Sequence, residues 1–477
     1  MEHKLRNASG WILVFMLVYA PWAMGCALPP EITGLAFLAA ICVGLWLWGC
    51  LAERRFPRIP WPCLAAGGFL LAEGWWMAFN AHTIFRPGFP LQPDPRTLWP
   101  AAPGSVDGWT SCDMMIRVTA LLAVMCAACD LARAPVWRMR FWWTIVLTGG
   151  ALALFGLVEK AGLSHLALSQ MEAQQGFPFA TYNYHGNAGA YLNLVIPAAL
   201  GLALLRTQKA PRERIVLWGC LVACLVGAVV NVSRGAQLVT LIVLGITGTL
   251  LLAGRISQTI QHVRSPAAFV VAAVILVACL AGIGGREMRR WSSIGSDVQS
   301  DSSRPLAWGI GWAMARDAGP LGSGPGSFKI RFPHTRHMNR EIYSRWIMTE
   351  YVPGQRVSMW SNLHQDYLQT IIEWGWVGAA AWGLLLFGGL ARLWVFALRP
   401  AKIMPVSDRF LVCCSAAALT GICLHALIDF PFQVASLELY TALYLSFAWG
   451  DWSNHRNQEG ILPGKENSFI GEAKAKG

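Results

Sequence analysis

The chain has 477 residues, of which 55% are hydrophobic and 13% charged, with 24 Trp and a formal net charge of +12 at pH 7. Soluble domains carry roughly 25% charged residues, so the composition excludes a soluble globular core. Nor does the positive balance point to nucleic acid, because the excess sits in short segments between apolar runs, where membrane orientation and anionic lipid account for it.

The apolar runs are about 17 to 22 residues long, the number a helix rising about 1.5 Å per residue needs to cross about 30 Å of hydrocarbon. Lipid leaves backbone groups no other partner, so the runs are expected to be helices. In chain order they lie near 11–28, 32–51, 61–79, 114–131, 141–158, 186–205, 215–232, 236–253, 266–284, 376–397, 410–428 and 434–450. The expected architecture is an all-α integral membrane protein of about twelve transmembrane helices, with one long periplasmic loop between helices 9 and 10. Residues 1–28 resemble a signal peptide, but the apolar stretch is long and a second run follows almost at once, so they read as an uncleaved first helix.

With Lys4 and Arg6 inside, the segments 52–60, 132–140, 206–214, 254–265 and 398–409 are also inside, and all carry Lys or Arg. The short outer loops hold only Arg86, Arg96, Lys160 and Arg234. This asymmetry places both termini in the cytoplasm. The chain accordingly divides into helices 1–9 over 1–284, a periplasmic loop over 285–363, helices 10–12 over 364–450, and a tail over 451–477. The tail's Lys, Glu, Gly and Asn content reads as disorder. Arg117, inside the fourth run about one turn from its outer end, reads as an arginine snorkelling to the headgroups. None of the 13 Cys lies in the long loop, which argues against a disulfide framework or a Cys zinc site there.

The outer segments carry the chemistry. The loop 285–363 holds eleven Lys and Arg against six Asp and Glu, a surface suited to a polyanionic ligand at the membrane face. Arg234 sits between two apolar runs at the tip of a tight hairpin, near the headgroups. It is either a snorkelling arginine on lipid phosphate or a guanidinium fork that clamps a phosphate in bidentate fashion. His364 stands where the long loop re-enters the membrane. If the helix is continuous from it, Tyr367, Leu368, Ile371, Gly375 and Gly378 share its face, and Glu373 falls on the opposite side. The glycines would then admit a second helix close beneath His364. A lone interfacial His is commonly structural, but its meeting with a basic outer loop favours a catalytic role. His425 and Asp429, four apart at the outer end of the eleventh run, either orient the site from behind or form the helix end and the turn at Phe430-Pro431.

These motifs resemble the signature of the O-antigen ligase and O-antigen polymerase superfamily of bacterial membrane enzymes. There a His followed by Asn, Ser or Gln precedes nine residues and Gly-x-x-Gly, as do His364, Gln365, Gly375 and Gly378 here. Asp366 to Gln369 and Glu373 fit it too. Ser233-Arg234-Gly235 is similar to the family's hairpin-tip arginine, RPLAW at 304–308 and GPLGSGPGSF at 319–328 to the start of its long loop, and HALIDFP at 425–431 to its penultimate helix end. The resemblance runs from about 185 to 450, while the first 180 residues agree in hydropathy alone.

The resemblance implies a glycosyltransferase of the bacterial inner membrane, expected to need no cofactor and, because the outer loops show no paired acidic site, no metal. It would move a glycan from a polyprenyl (undecaprenyl) pyrophosphate carrier to an acceptor hydroxyl on the periplasmic side, beside membrane lipid. His364 would be the general base, its unperturbed pKa near 6.5 suiting proton abstraction at neutral pH. Arg234 and Arg304 would hold the pyrophosphate, with His425, Asp429 and Gln365 as candidates to support them. The acceptor is lipid A core in ligases, another lipid-linked glycan in polymerases, and a protein hydroxyl in protein O-oligosaccharyltransferases. Gly322 to Gly326 reads as a turn, because its spacing fails the dinucleotide fingerprint. Two rivals remain. A metal-dependent glycosyltransferase would use Asp94, Asp107 and Asp113, which lack a paired Asp-x-Asp arrangement. A transporter of the same lipid would bury ionisable groups near the midplane or break its spans in matching halves, whereas these runs are nearly charge-free and show no internal repeat.

Overall fold

The computed structural model describes residues 2–86, 91–162, 178–205, 211–253, 303–335, 361–399 and 404–450. The expected span at 266–284, the tail at 451–477 and much of the loop at 285–363 lie outside the described residues. The described chain is mostly helical. The helices are α1 Glu2–Trp22, α2 Pro29–Ala52, α3 Trp61–Phe79, α4 Gly108–Leu131, α5 Pro135–Lys160, α6 His185–Leu205 and α7 Pro211–Val230. After them come α8 Arg234–Ala253, α9 Ser303–Asp317, α10 Phe328–His334, α11 Asp366–Leu398, α12 Val406–His425 and α13 Ala435–Trp449. A two-residue ladder, β1 Thr83–Ile84 against β2 Gln92–Pro93, lies between α3 and α4.

Proline in the first helical turn starts α2, α3 and α5, where its missing N–H costs nothing. Asp107 caps α4 by accepting from Thr110 N at 2.9 Å. Eight helices, α2, α4, α5, α6, α7, α8, α11 and α12, are long and apolar enough to cross a membrane, so the protein is a multi-pass membrane protein. α1, α3 and α13 coincide with three further apolar runs. α6, α12 and α13 are buried along nearly their whole length and form the centre of the bundle. Their hydroxyls are spent between helices: Tyr440 donates to the Leu17 carbonyl at 2.8 Å and Tyr444 to that of Leu194 at 2.6 Å. Large side chains such as Phe37, Trp48 and Leu154 point outward, as lipid-facing positions require.

The two ends of the bundle differ. At one end Asp130, wholly buried at the close of α4, accepts from Arg6, Arg55, Trp46 Nε1 and the Arg58 backbone. There too Arg138 of α5 reaches both oxygens of Asp408 of α12, each at 3.0 Å. Removing one member of such a buried pair strands the other charge. Asp408→Ala should therefore destabilise the protein by about 3–5 kcal/mol, read as an earlier unfolding transition in detergent. The opposite end carries the 80–107 loop, the start of α6, the α7–α8 turn, α9, α10, the start of α11 and the end of α12.

Two expectations are corrected here. Arg117 does not snorkel: its Nε donates to Glu438 Oε2 at 2.7 Å, joining α4 to α13, and both side chains are 13% exposed. The helix at His364 is not continuous either. α11 starts at Asp366 and is broken at Gly375, whose φ of 62° and ψ of −173° no helix contains.

Candidate active site

Local sequence explains how the site is assembled. After α12 the chain turns tightly, with the Ile428 and Asp429 amides both donating to the His425 carbonyl at 3.0 Å. Asp366 ties this turn to the start of α11: its amide donates to the Ala426 carbonyl at 3.0 Å, and its carboxylate accepts from Phe432 N at 2.7 Å and Gln433 Nε2 at 3.3 Å. Gln365 is the N-cap of α11, accepting from Leu368 N. Gln369 accepts from Leu363 N at 2.9 Å. His364 is thus gripped on both sides and lies outside the helix, at φ +55°. That left-handed conformation is uncommon for a residue with a side chain and persists where its surroundings impose it.

His364 Nδ1 lies 2.9 Å from Asp429 Oδ1. The carboxylate only accepts, so Nδ1 carries a proton, and in the neutral imidazole Nε2 is the nitrogen with the lone pair. The His364 side chain is 23% exposed, whereas Asp429 is buried. Its Oδ1 also accepts from Phe430 N at 3.1 Å, and its Oδ2 accepts from Tyr184 OH at 2.9 Å, with His425 Nε2 at 3.8 Å. Burial alone would raise the Asp429 carboxyl, but the bonds and charges of His364 and His425 outweigh it and hold the group well below the usual carboxylate range.

Arg304, in the first turn of α9, donates through Nη1 to the Ile428 carbonyl and through Nη2 to Tyr184 OH, both at 3.2 Å. Arg234 opens α8, and its neighbour Gly235 packs so closely on Ile428 that a Cβ there would come within 2.5 Å of Cδ1. The α7–α8 turn is tied to α6 by Asn231, which donates to the His185 carbonyl at 2.9 Å. Both arginines therefore meet the bundle beside Ile428, one residue from Asp429. Among the residues singled out from sequence, His364, Asp429, His425 and Arg304 form one cluster, Arg234 adjoins it, and Gln365 acts through the backbone. Asp366 stands in a motif already quoted, without a role, and Tyr184 stands in none of them. An apolar run opened by Tyr-Asn-Tyr-His, and an acid inside the His364 signature, are the signals that could have singled them out.

Glu373 is not a partner of His364, though the reason is not the helix face. It is buried, and its carboxylate accepts from Gly326 N at 3.0 Å, Phe328 N at 3.3 Å and Gln369 Nε2 at 3.2 Å. The glycine-rich stretch is a turn seated in the break of α11, where Ser323 N and Gly324 N donate to the Ile372 and Glu373 carbonyls at 2.9 Å and Val377 N donates back to Pro320. The Gly-x-x-Gly pair is accordingly not one face for a neighbouring helix. A Cβ on Gly375 would meet Pro320 O at 2.2 Å, and only Gly378 faces another helix, against Glu73 of α3. Gly375→Ala meets both a backbone clash and a conformation reserved for glycine. It should cut the yield of folded protein severalfold in size-exclusion profiles.

Two of the three acids of the metal-dependent rival, Asp94 and Asp107, serve local structure. Asp94 is paired with Arg96 at 3.1 and 3.2 Å, whose hydrogen bonds hold its carboxyl below the usual range. Asp107 caps α4. Beside the His364 cluster a cavity of 660 Å³ runs between α4, α11, α12 and α13, lined by apolar side chains such as Met114, Val118, Phe387 and Leu424. Tyr367, in the first turn of α11, forms part of its wall.

A histidine bonded to a buried carboxylate, with arginines beside it, thus lies at one end of the bundle of a multi-pass membrane protein. Residues 219–383 match the family model described as O-antigen ligase, and over that stretch the chain is similar to the O-antigen ligase superfamily. The match includes Arg234, Arg304, His364 and Gly-x-x-Gly, whereas Tyr184, His425 and Asp429 lie outside it. No curated protein matches the chain.

Proposed function

We propose that the protein transfers a glycan from a polyprenyl (undecaprenyl) pyrophosphate carrier to an acceptor hydroxyl at the periplasmic face of the bacterial inner membrane. The single observation that carries this reading is the 2.9 Å contact of His364 Nδ1 with Asp429 Oδ1 beside Arg304. Asp429 orients the imidazole so that Nε2 takes the acceptor's proton as its oxygen attacks the anomeric carbon. The bond from that carbon to the pyrophosphate breaks, and its electron pair goes to the phosphate oxygen. Arg304 and Arg234 stabilise the charge that develops there, and the imidazolium later returns its proton to solvent. No metal ion takes part. The 660 Å³ apolar cavity suits isoprenoid units of the carrier.

The topology that goes with this reading has twelve spans, with the arginine-rich Asp130 end in the cytoplasm. α8 points its last turn toward that end and α9 begins at the other, which favours a ninth span between them. The acceptor we favour is lipid A core, as for a ligase. Glycan transfer from purified lipid-linked donor in liposomes, with and without EDTA, tests the reading; activity lost in EDTA would favour the metal-dependent rival.

The arginine geometry has its own test. If Arg234 grips pyrophosphate through a bidentate fork, Arg234→Lys keeps the charge and loses the fork, so transfer should fall at least tenfold at unchanged protein level. Full activity in the lysine variant would return Arg234 to lipid snorkelling.

A further inference from the structure

Tyr184 stands between the two halves of this site. Its hydroxyl accepts from Arg304 Nη2 at 3.2 Å and donates to Asp429 Oδ2 at 2.9 Å, and the other oxygen of that carboxylate accepts from His364 Nδ1 at 2.9 Å. The ring is fixed by stacking on Phe430, with centroids 5.4 Å apart and planes 12° apart. Gly186 makes the room: a Cβ there would meet Asp429 Oδ2 at 2.3 Å and the Tyr184 ring at 2.4 Å. Burial first, and then the Asp429 charge, push the phenol up, so it works as a neutral donor and not as an acid or base.

We propose that Tyr184 is a positioning residue that links Arg304 to the His364–Asp429 pair, so that engagement of the pyrophosphate by Arg304 strengthens His364 as a base. This rests on the functional reading above. A phenol whose oxygen accepts from a cation is a stronger donor through the same hydroxyl, because hydrogen bonds in a chain polarise one another. While Arg304 rests on Tyr184, the phenol therefore withdraws charge from Asp429 and weakens its hold on the His364 proton. A pyrophosphate oxygen is a better acceptor for the guanidinium than a phenol or a carbonyl. When Arg304 turns to it, Tyr184 donates less strongly, Asp429 becomes more electron-rich, and His364 Nε2 binds a proton more tightly. Among the described residues, the other ionisable groups beside this chain include His425, 3.8 Å from Asp429, His185, whose ring centre is 4.6 Å from that of Tyr184, and Asp366 at the start of α11. Tyr184→Phe leaves the side chains of all three in place.

The test is the pH dependence of transfer by the full-length protein in liposomes, using purified lipid-linked glycan as donor. Tyr184→Phe keeps the stacked ring and loses both hydrogen bonds. Asp429 is then more electron-rich and stabilises the His364 imidazolium, so the acid limb of kcat/KM should move to higher pH. The rate should fall about tenfold near neutrality and recover as pH rises. Replacing Tyr184 with 3-fluorotyrosine, a more acidic phenol and stronger donor, should move the limb the other way and covers a poorly folding Phe variant. An unmoved limb in both, with rates equal to wild type or lowered evenly at all pH values, overturns the link and leaves Tyr184 a packing residue. That result, alongside active wild type and inactive His364→Ala, removes this inference alone; absence of wild-type transfer removes the functional reading with it.

Discussion

His364→Ala should lower turnover by about 10² to 10⁴, the usual contribution of a positioned general base, while folded protein accumulates near wild-type levels. The side chain is partly exposed and its ring meets Tyr184 and Phe430 only edge-on, so its loss removes little packing. The backbone supplies a control. At φ +55° alanine keeps the strain that histidine bears, whereas glycine relieves it. His364→Gly should therefore be as inactive as the alanine variant and unfold no earlier than wild type. Transfer per mole of folded enzyme, measured for all three, checks both halves of this expectation. A glycine variant that is both active and stable would make the histidine dispensable.

Asp429→Asn should produce a loss of comparable order. The carboxylate receives three hydrogen bonds, from His364, Phe430 and Tyr184, and an amide can accept them at one atom only. Its NH₂ group must face either His364 Nδ1, forcing the wrong tautomer, or Tyr184. By analogy with the loss of the orienting carboxylate in a Ser-His-Asp triad, about 10² to 10⁴ in kcat is expected. The same substitution changes the acid stability of the protein. A carboxyl held below its unfolded pKa of about 3.9 stabilises the fold at every pH above that value. That stabilisation is lost as pH falls through the folded value, so wild type should lose stability below about pH 4. In Asp429→Asn this component of the acid-side loss should be absent. Unfolding midpoints in detergent between pH 3 and 7 measure it, and identical slopes for the two proteins would contradict the assignment.

Much of the bundle is legible because lipid imposes one rule on every span. The apolar runs and the prolines that start α2, α3 and α5 mark helices without reference to the rest of the chain. The His364 signature and HALIDFP are likewise local, which is why His364, His425 and Asp429 stand out before their contacts are known. What was not legible depends on partners far apart in the chain. Glu438 lies 321 residues from Arg117, and no local pattern pairs them. A helical wheel drawn from His364 presumes an unbroken helix. The break at Gly375 exists because the turn at 319–326 supplies backbone donors to Ile372 and Glu373 there. Tyr184 was missed because a tyrosine at a membrane interface is ordinary; only the convergence of Arg304 and Asp429 on its hydroxyl sets it apart.

The most direct measurement of the central claim follows both products at once. Purified protein in liposomes, given polyprenyl-pyrophosphate-linked glycan and a hydroxyl acceptor, should release one polyprenyl pyrophosphate for each glycan transferred. EDTA should not change the rate, and His364→Ala should show neither release nor transfer above about one-hundredth of wild type. Transfer by His364→Ala at the wild-type rate, or wild-type protein that moves the lipid-linked donor across the bilayer without releasing polyprenyl pyrophosphate, would contradict it.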